Sequence, residues 1–263
     1  MDRRRLWHRI RKIWITLGIS AAAVFTLWSL IAYRASAEAR AALASNDEVT
    51  VKHDAGVWTF TPARASSPSP VALVFFPGSL VDPVAYAPIV RAAAAAGNRA
   101  YIVELPRRGA FGGGQDPAIM TTLRALLDEA DTPKRWVVAG HSLGGVVASN
   151  VAASNLRGFG GLVLIGTSHP RDVDLSALAV PVTKIVGTRD GLASRQEVEG
   201  NAHLLPKSTR WIWIDGGNHS QFGWYGFQPF DGRATISRAA QQKAMIDGTL
   251  DMLRVAAGGA APR

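Results

Sequence analysis

Three side chains of the kinds that cooperate in attacking a carbonyl carbon follow one another along the chain. They are Ser142 in Gly140-His141-Ser142-Leu143-Gly144, Asp190 in "IVGTRDGLAS" and His219 in "IDGGNHSQFG". A serine hydroxyl is a weak nucleophile near neutral pH. It becomes effective when an imidazole takes its proton and a carboxylate holds that imidazole in the right tautomer. The string G-x-S-x-G has a chance background in a chain with 26 glycines, and Ser142 read alone is equally an ordinary serine in a Gly-rich turn. The elements around it decide between the two readings.

Those elements follow from the apolar pattern. "EVTVKHD" and "VWTFTPA", joined by Ala55-Gly56, read as a hairpin. "ARASSPSP" (63–70) is a loop. "VALVFF" (71–76) is a continuous apolar run, as expected of a strand buried on both faces. A helix over 86–97 closed by Gly97 comes next, then a strand over 99–105 and a helix over 117–130. A strand over 135–140 leads into a helix over 143–156. "GLVLIGTS", "VTKIVGT" and "TRWIWI" are further strands, and 235–257 is a last amphipathic helix. This alternation predicts an α/β fold with a mostly parallel sheet and helices on both faces.

In such a sheet, sites form at the C-terminal strand ends. Ser142 falls there, between strand and helix, where Gly140 and Gly144 keep a tight turn free of side chains. Asp190 and His219 each follow a later strand. Asp190 could instead close an Asp-Gly turn, and Asp172 or Asp174 could serve as the acid; Asp215 structures the Gly-Gly turn. The backbone N–H of Leu143 and that of Ser79 or Leu80, beside Gly78, are the candidate oxyanion donors, against the alternative of a generic Pro-Gly turn. His141, next to Ser142, either lines a pocket or packs. No pair of histidines has metal-ligand spacing, so neither a metal nor another cofactor is expected.

The chain has no cysteine, which excludes disulfides, a thiol nucleophile and Cys-based metal sites. Its net charge of +9 is concentrated at one end and is no nucleic-acid signal, because Arg3, Arg4, Arg5, Arg9, Arg11 and Lys12 face only Asp2. The uncharged run Ile13–Tyr33 follows, with Trp14, Trp28 and Tyr33 towards its ends. At 1.5 Å per residue it is long enough to cross a bilayer as a helix. The expected organisation is therefore a basic cytoplasmic N-terminus (1–12), a transmembrane helix (13–33), a tether (34–47) and a catalytic domain (48–257). That domain lies on the periplasmic or extracellular side of the cell membrane. The rivals are a signal peptide cut after Ala37, which would give a secreted protein, and a buried soluble helix.

With the serine motif, Asp190 and His219 in these places, the chain resembles the α/β-hydrolase superfamily from about residue 48 to 257. "FPGSLVDPVAYAPIVRAAAAAG" and "GGNHSQFGWYGFQPFDGRATISRAAQQ" are similar to segments of a bacterial group near dienelactone hydrolases and small lipases. The resemblance implies Ser142 as nucleophile, His219 as base and Asp190 as acid. It departs from dienelactone hydrolases proper, which use cysteine, and this puts their substrate in doubt. Only 13 residues (169–181) separate "GLVLIGTS" from "VTKIVGT", room for a loop and no large cap domain. Phe222 and Trp224, with Tyr225, Phe227 and Phe230, form a candidate apolar wall for an acyl group or simply pack a long loop. Arg107 and Arg108 lie near the same rim, as a solvated pair or as anion holders. The function expected is hydrolysis of a small-molecule ester or lipid. A non-catalytic binding domain and a thioesterase, peptidase or perhydrolase on the same triad are the alternatives.

Overall fold

The computed structural model describes residues 3–63, 69–129 and 133–259. The loop expected over 63–70 and the last residue of the helix expected over 117–130 fall largely outside them. The first element is a long helix, α1 (Arg3–Ala32), followed by the short α2 (Ala37–Ala41). Strands β1 (Val49–Asp54) and β2 (Val57–Pro62) form the expected hairpin, with Ala55 and Gly56 both at positive φ.

From β3 (Val71–Phe76) the chain alternates. Helix α3 (Ala87–Ala95) leads to β4 (Ala100–Val103), and α4 (Ala118–Asp128) leads to β5 (Arg135–His141). Helix α5 (Leu143–Ala153) leads to β6 (Phe159–Ile165), which runs to β7 (Val182–Gly187). Helix α6 (Arg195–Gly200), β8 (Arg210–Ile214) and α7 (Arg238–Ala256) complete the chain. The eight strands form one sheet in the order β1-β2-β4-β3-β5-β6-β7-β8. The β1–β2 and β2–β4 pairs are antiparallel and every other pair is parallel.

The alternation of side chains along β3 explains the three layers. Val71, Leu73 and Phe75 join a core with α3 and α7, while Ala72, Val74 and Phe76 join one with α4 and α5. All six residues are fully buried, so β3 needs apolar residues on both faces. Burying each large side chain contributes roughly 1.5–3 kcal/mol. Residues 166–181, between β6 and β7, contain neither helix nor strand.

Two stretches differ from expectation. Helix α6 was not foreseen, although Ser194 and Glu197 form a capping box at its start. Residues 34–47, a tether or helix extension by sequence, include α2 and pack on the domain. Ser36 caps α2, and Arg91 from α3 donates to the carbonyls of Ala42 and Ala44. The junction with α1 is tied down as well. The Gly226 N–H donates to Ala32 O at 2.9 Å, Asp82 N–H to Tyr33 O at 3.0 Å and Ser36 N–H to Trp224 O at 2.7 Å. Tyr33 and Ala35 are each 2% exposed. Upstream, α1 stands almost wholly clear of the domain, and Leu6–Ala32 is long and apolar enough to cross a membrane.

Candidate active site

The strand-to-helix turn after β5 is as tight as the glycine spacing requires. Ser142 has φ 54° and ψ −118°, a region costly for a residue with a side chain. Its N–H donates to Ile165 O at 3.0 Å, tying the turn to the end of β6. A Cβ on Gly140 would come 2.0 Å from Gly144 O, and one on Gly144 would come 2.0 Å from Phe76 O. Only glycine lets β5, α5 and the end of β3 approach this closely.

Asp190 and His219, on the loops leaving β7 and β8, meet at this end of the sheet. His219 Nδ1 lies 2.9 Å from Asp190 Oδ2 and 3.0 Å from Oδ1. Both side chains are buried. Asp190 Oδ1 also accepts from the N–H groups of Leu192 at 2.9 Å and Ala193 at 2.7 Å, which fixes the carboxylate. The histidine loop is held from below. Asp231 accepts from the N–H groups of His219 and Ser220, at 3.0 and 2.8 Å, while Gln241 of α7 accepts from Asn218 N–H at 3.0 Å. With Nδ1–H bonded to the carboxylate, Nε2 carries the lone pair. That nitrogen is buried, makes no hydrogen bond among the described residues, and belongs to a residue that lines the same cavity as Ser142. Asp174 instead accepts from Ser176 N–H at 2.8 Å, and hydrogen bonding to Ser176, first its side chain and then its backbone, lowers the Asp174 pKa; Asp215 accepts from Thr188 Oγ1 at 3.0 Å. Among the described residues, no three His, Asp or Glu side chains come together as a metal site.

The loop after β3 lies across from the turn. Leu80, at φ 62°, donates its N–H to Arg108 O at 2.7 Å. The N–H of Ser79 and that of Leu143, in the first turn of α5, make no hydrogen bond among the described residues. Behind them Tyr86 Oη accepts from Gly78 N–H at 3.2 Å and lies 2.7 Å from His141 Nδ1. His141 is fully buried, with its ring centroid 4.5 Å from that of His219. Burial, and next the nearness of His219, hold its pKa well below the ordinary range, so the ring is neutral.

The cavity at Ser142 has a volume of about 250 Å³. Its other walls are Leu143 and Val146 of α5, Gly166–His169 and Arg171 after β6, and Leu192 and Ala193 after Asp190. The expected pocket residues His141, Phe222 and Trp224 are not among these walls. Phe222 is buried beneath the site against His141 and Gly166. Trp224 faces a groove beside α2 and α3. Phe227 and Phe230 point outward, 65% and 88% exposed. Arg107 pairs with Asp116 at 3.1 Å, and Arg108 acts through its carbonyl on Leu80. The 166–171 wall went unread in the sequence although it leaves a parallel strand at the same end as Ser142, which was the available signal. Under it Lys184 of β7, fully buried, donates to the His169 carbonyl. Burial, and next the charge of Arg171, lower its pKa to about 7.

Among solved structures, carboxylesterase CesB from Bacillus subtilis superimposes with a TM-score of 0.51 at 12% identity, covering 76% of this chain and 92% of its own. An alpha-beta serine hydrolase homologue from Coxiella burnetii gives the same score and identity over 81% of this chain and 98% of its own. At that identity the likeness is one of fold. No curated protein sequence matches. The model of the alpha/beta hydrolase family matches residues 72–243, a span holding the strained serine, the buried Asp190–His219 pair and the strands that carry them. The chain belongs to that family.

Proposed function

We propose that this protein is a membrane-anchored serine hydrolase of carboxylic esters. The observation that carries the reading is the buried Asp190–His219 hydrogen bond, whose free Nε2 and the strained Ser142 share one cavity. Ser142 Oγ attacks the ester carbonyl carbon while His219 Nε2 takes its proton. The resulting oxyanion is held by the N–H groups of Leu143 and Ser79. Collapse breaks the bond to the alcohol oxygen, which leaves with the proton from Nε2. Water, deprotonated by the same nitrogen, then attacks the acyl-enzyme and releases the carboxylic acid and Ser142. Asp190 keeps Nδ1 protonated and stabilises the imidazolium without taking its proton. Ser142 fills the place of the cysteine in the dienelactone-hydrolase group, and the small cavity suits a short acyl or alcohol group beside the scissile bond.

Anchoring is supported by the junction at 32–36. Cleavage after Ala37 would remove the buried Tyr33 and Ala35 and release the backbone partners of Trp224, Gly226 and Asp82. The test of catalysis is fluorophosphonate labelling together with turnover of p-nitrophenyl esters of rising chain length. Ser142→Ala is expected to abolish labelling and to lower turnover by about 10⁴-fold or more. Near-normal turnover in that variant would reduce Ser142 to a turn residue, whereas a wild type that neither labels nor turns over any ester would favour a non-catalytic binding domain.

A further inference from the structure

Outside α1, the exposed large apolar side chains among the described residues are Phe111, Phe227 and Phe230. All three lie on loops at one end of the sheet. Phe111 follows β4 in the loop whose Gly109 and Gly114 pack on Leu143, next to Ser142. Phe227 and Phe230 follow His219. Helix α1 joins the domain at this same end. Phe227 directly follows Gly226, whose N–H is bonded to the last residue of α1, and Phe230 directly precedes Asp231, whose carboxylate holds His219.

Continuity with α1 sets where this end sits. Residues 13–32 span about 30 Å as a helix, the thickness of the hydrocarbon core, so Ala32 falls at its outer boundary. Phe227 is one residue from the atom bonded to Ala32. Phe230, four residues from Gly226, is within about 14 Å of it even along an extended chain. Rings of Phe25, Trp28, Tyr33 and Tyr225 form a continuous series from α1 into the domain, tilted at Phe25–Trp28 and edge-to-face at the other two contacts, with centroids 5.6–5.9 Å apart. Of these, Trp28 is exposed near the end of α1 and is an amphipathic aromatic of the kind that favours the headgroup level. Arg34, Arg189 and Arg233 are exposed on segments at this end, where cations meet anionic headgroups.

We propose that the mouth of the Ser142 cavity faces the bilayer from which α1 emerges, with Phe111, Phe227 and Phe230 seated in its interfacial layer, and that the substrate is a lipid ester taken from that bilayer. The cavity accommodates the ester and a short flank, and a longer chain remains among the three phenylalanines and the lipid. The substrate class rests on the serine hydrolase reading and the orientation rests on α1 as an anchor.

The test uses the full chain in anionic vesicles. The protein has no cysteine, so single substitutions Phe111→Cys, Phe227→Cys, Phe230→Cys and, as a control ahead of β8 at the far end of the sheet, Lys207→Cys each take one environment-sensitive fluorophore. Blue-shifted emission and quenching by nitroxide lipids are expected at the three phenylalanine positions and not at 207. Solvent-like emission at all three, or equal quenching at 207, would overturn the orientation. In a second arm, Phe111→Ser/Phe227→Ser/Phe230→Ser should lower turnover of a vesicle-borne diacyl ester about tenfold or more while sparing water-soluble p-nitrophenyl acetate. Equal loss or equal retention of both activities would overturn the lipid substrate. The fluorescence arm needs no catalysis. Correct insertion without fluorophosphonate labelling would therefore point to failure of the hydrolase reading alone.

Discussion

Asp190 does more than sit near a histidine. Its carboxylate accepts from two backbone N–H groups as well as from His219 Nδ1, so the imidazole is aimed by a group that cannot itself turn. Asp190→Asn keeps the shape, but its amide can donate to Nδ1 and favour the wrong tautomer. The expected result is a drop in kcat on the order of 10²–10⁴ with unchanged circular dichroism. Asp174→Asn, on a carboxylate committed to Ser176, should leave kcat within about twofold, as is usual for surface substitutions away from the site. Steady-state turnover of a soluble ester by both variants checks the pair. A large effect at Asp174 with none at Asp190 would move the acid one strand earlier.

At the scale of the element, β7 contains an unusual residue for a strand buried on both faces. Lys184 is 1% exposed, and its pKa is lowered to about 7. In the unfolded chain the same ammonium titrates near 10.4. Between about pH 7 and pH 10 the unfolded state therefore holds a proton that the folded state has released, and stability rises with pH across that window. Below pH 7 both states are protonated and this contribution is constant. Thermal melts of the wild type and Lys184→Met from pH 6 to 10 should show the difference in Tm shifting in favour of the wild type above pH 7. A difference that stays flat would show that Lys184 does not titrate there. Because Lys184 also holds the His169 carbonyl, the 166–171 wall depends on the same residue.

For the whole molecule, α1 and the hydrolase-family domain are joined by a packed junction and not by a free string. Tyr33 and Ala35 belong to the α3–α7 core, and the backbone of 32–36 bonds both to the segment after β3 and to the segment after His219. Removing residues 1–27 should release the domain from membranes and keep this junction. Removing 1–36 should release it too, but at a loss of about 3 kcal/mol for an aromatic taken from the core. For a domain of this size that lowers Tm by on the order of 5–10 °C. Membrane fractionation followed by thermal melts of the two truncations checks this, and equal melting temperatures would show the junction to be energetically idle.

Much of this arrangement is legible in the residues alone. Strands β3 to β6 show as apolar runs because both faces are covered, and Ser142, Asp190 and His219 each follow a strand whose end such a sheet turns towards a site. The uncharged stretch after the basic cluster marks α1 for the same reason of transfer from water. Local signals covered even more than was read from them, since Ser194 and Glu197 mark the start of α6. The fate of the aromatics after His219 is not local. Phe222 points inward because Gly166 and His141 leave it a place, whereas the side chains of Phe227 and Phe230, of the same type and a few positions on, stay largely exposed. The walls at 166–171, the choice of Ser79 over Leu80 as a free donor, and the seating of Ala32 on Gly226 likewise depend on neighbours distant in the chain. The residue types and their period determined the elements and the chemistry on offer. Only the packing of remote segments decided which side chains share the cavity and which face outward, because burial and hydrogen bonding are settled by what comes within a few ångströms in space.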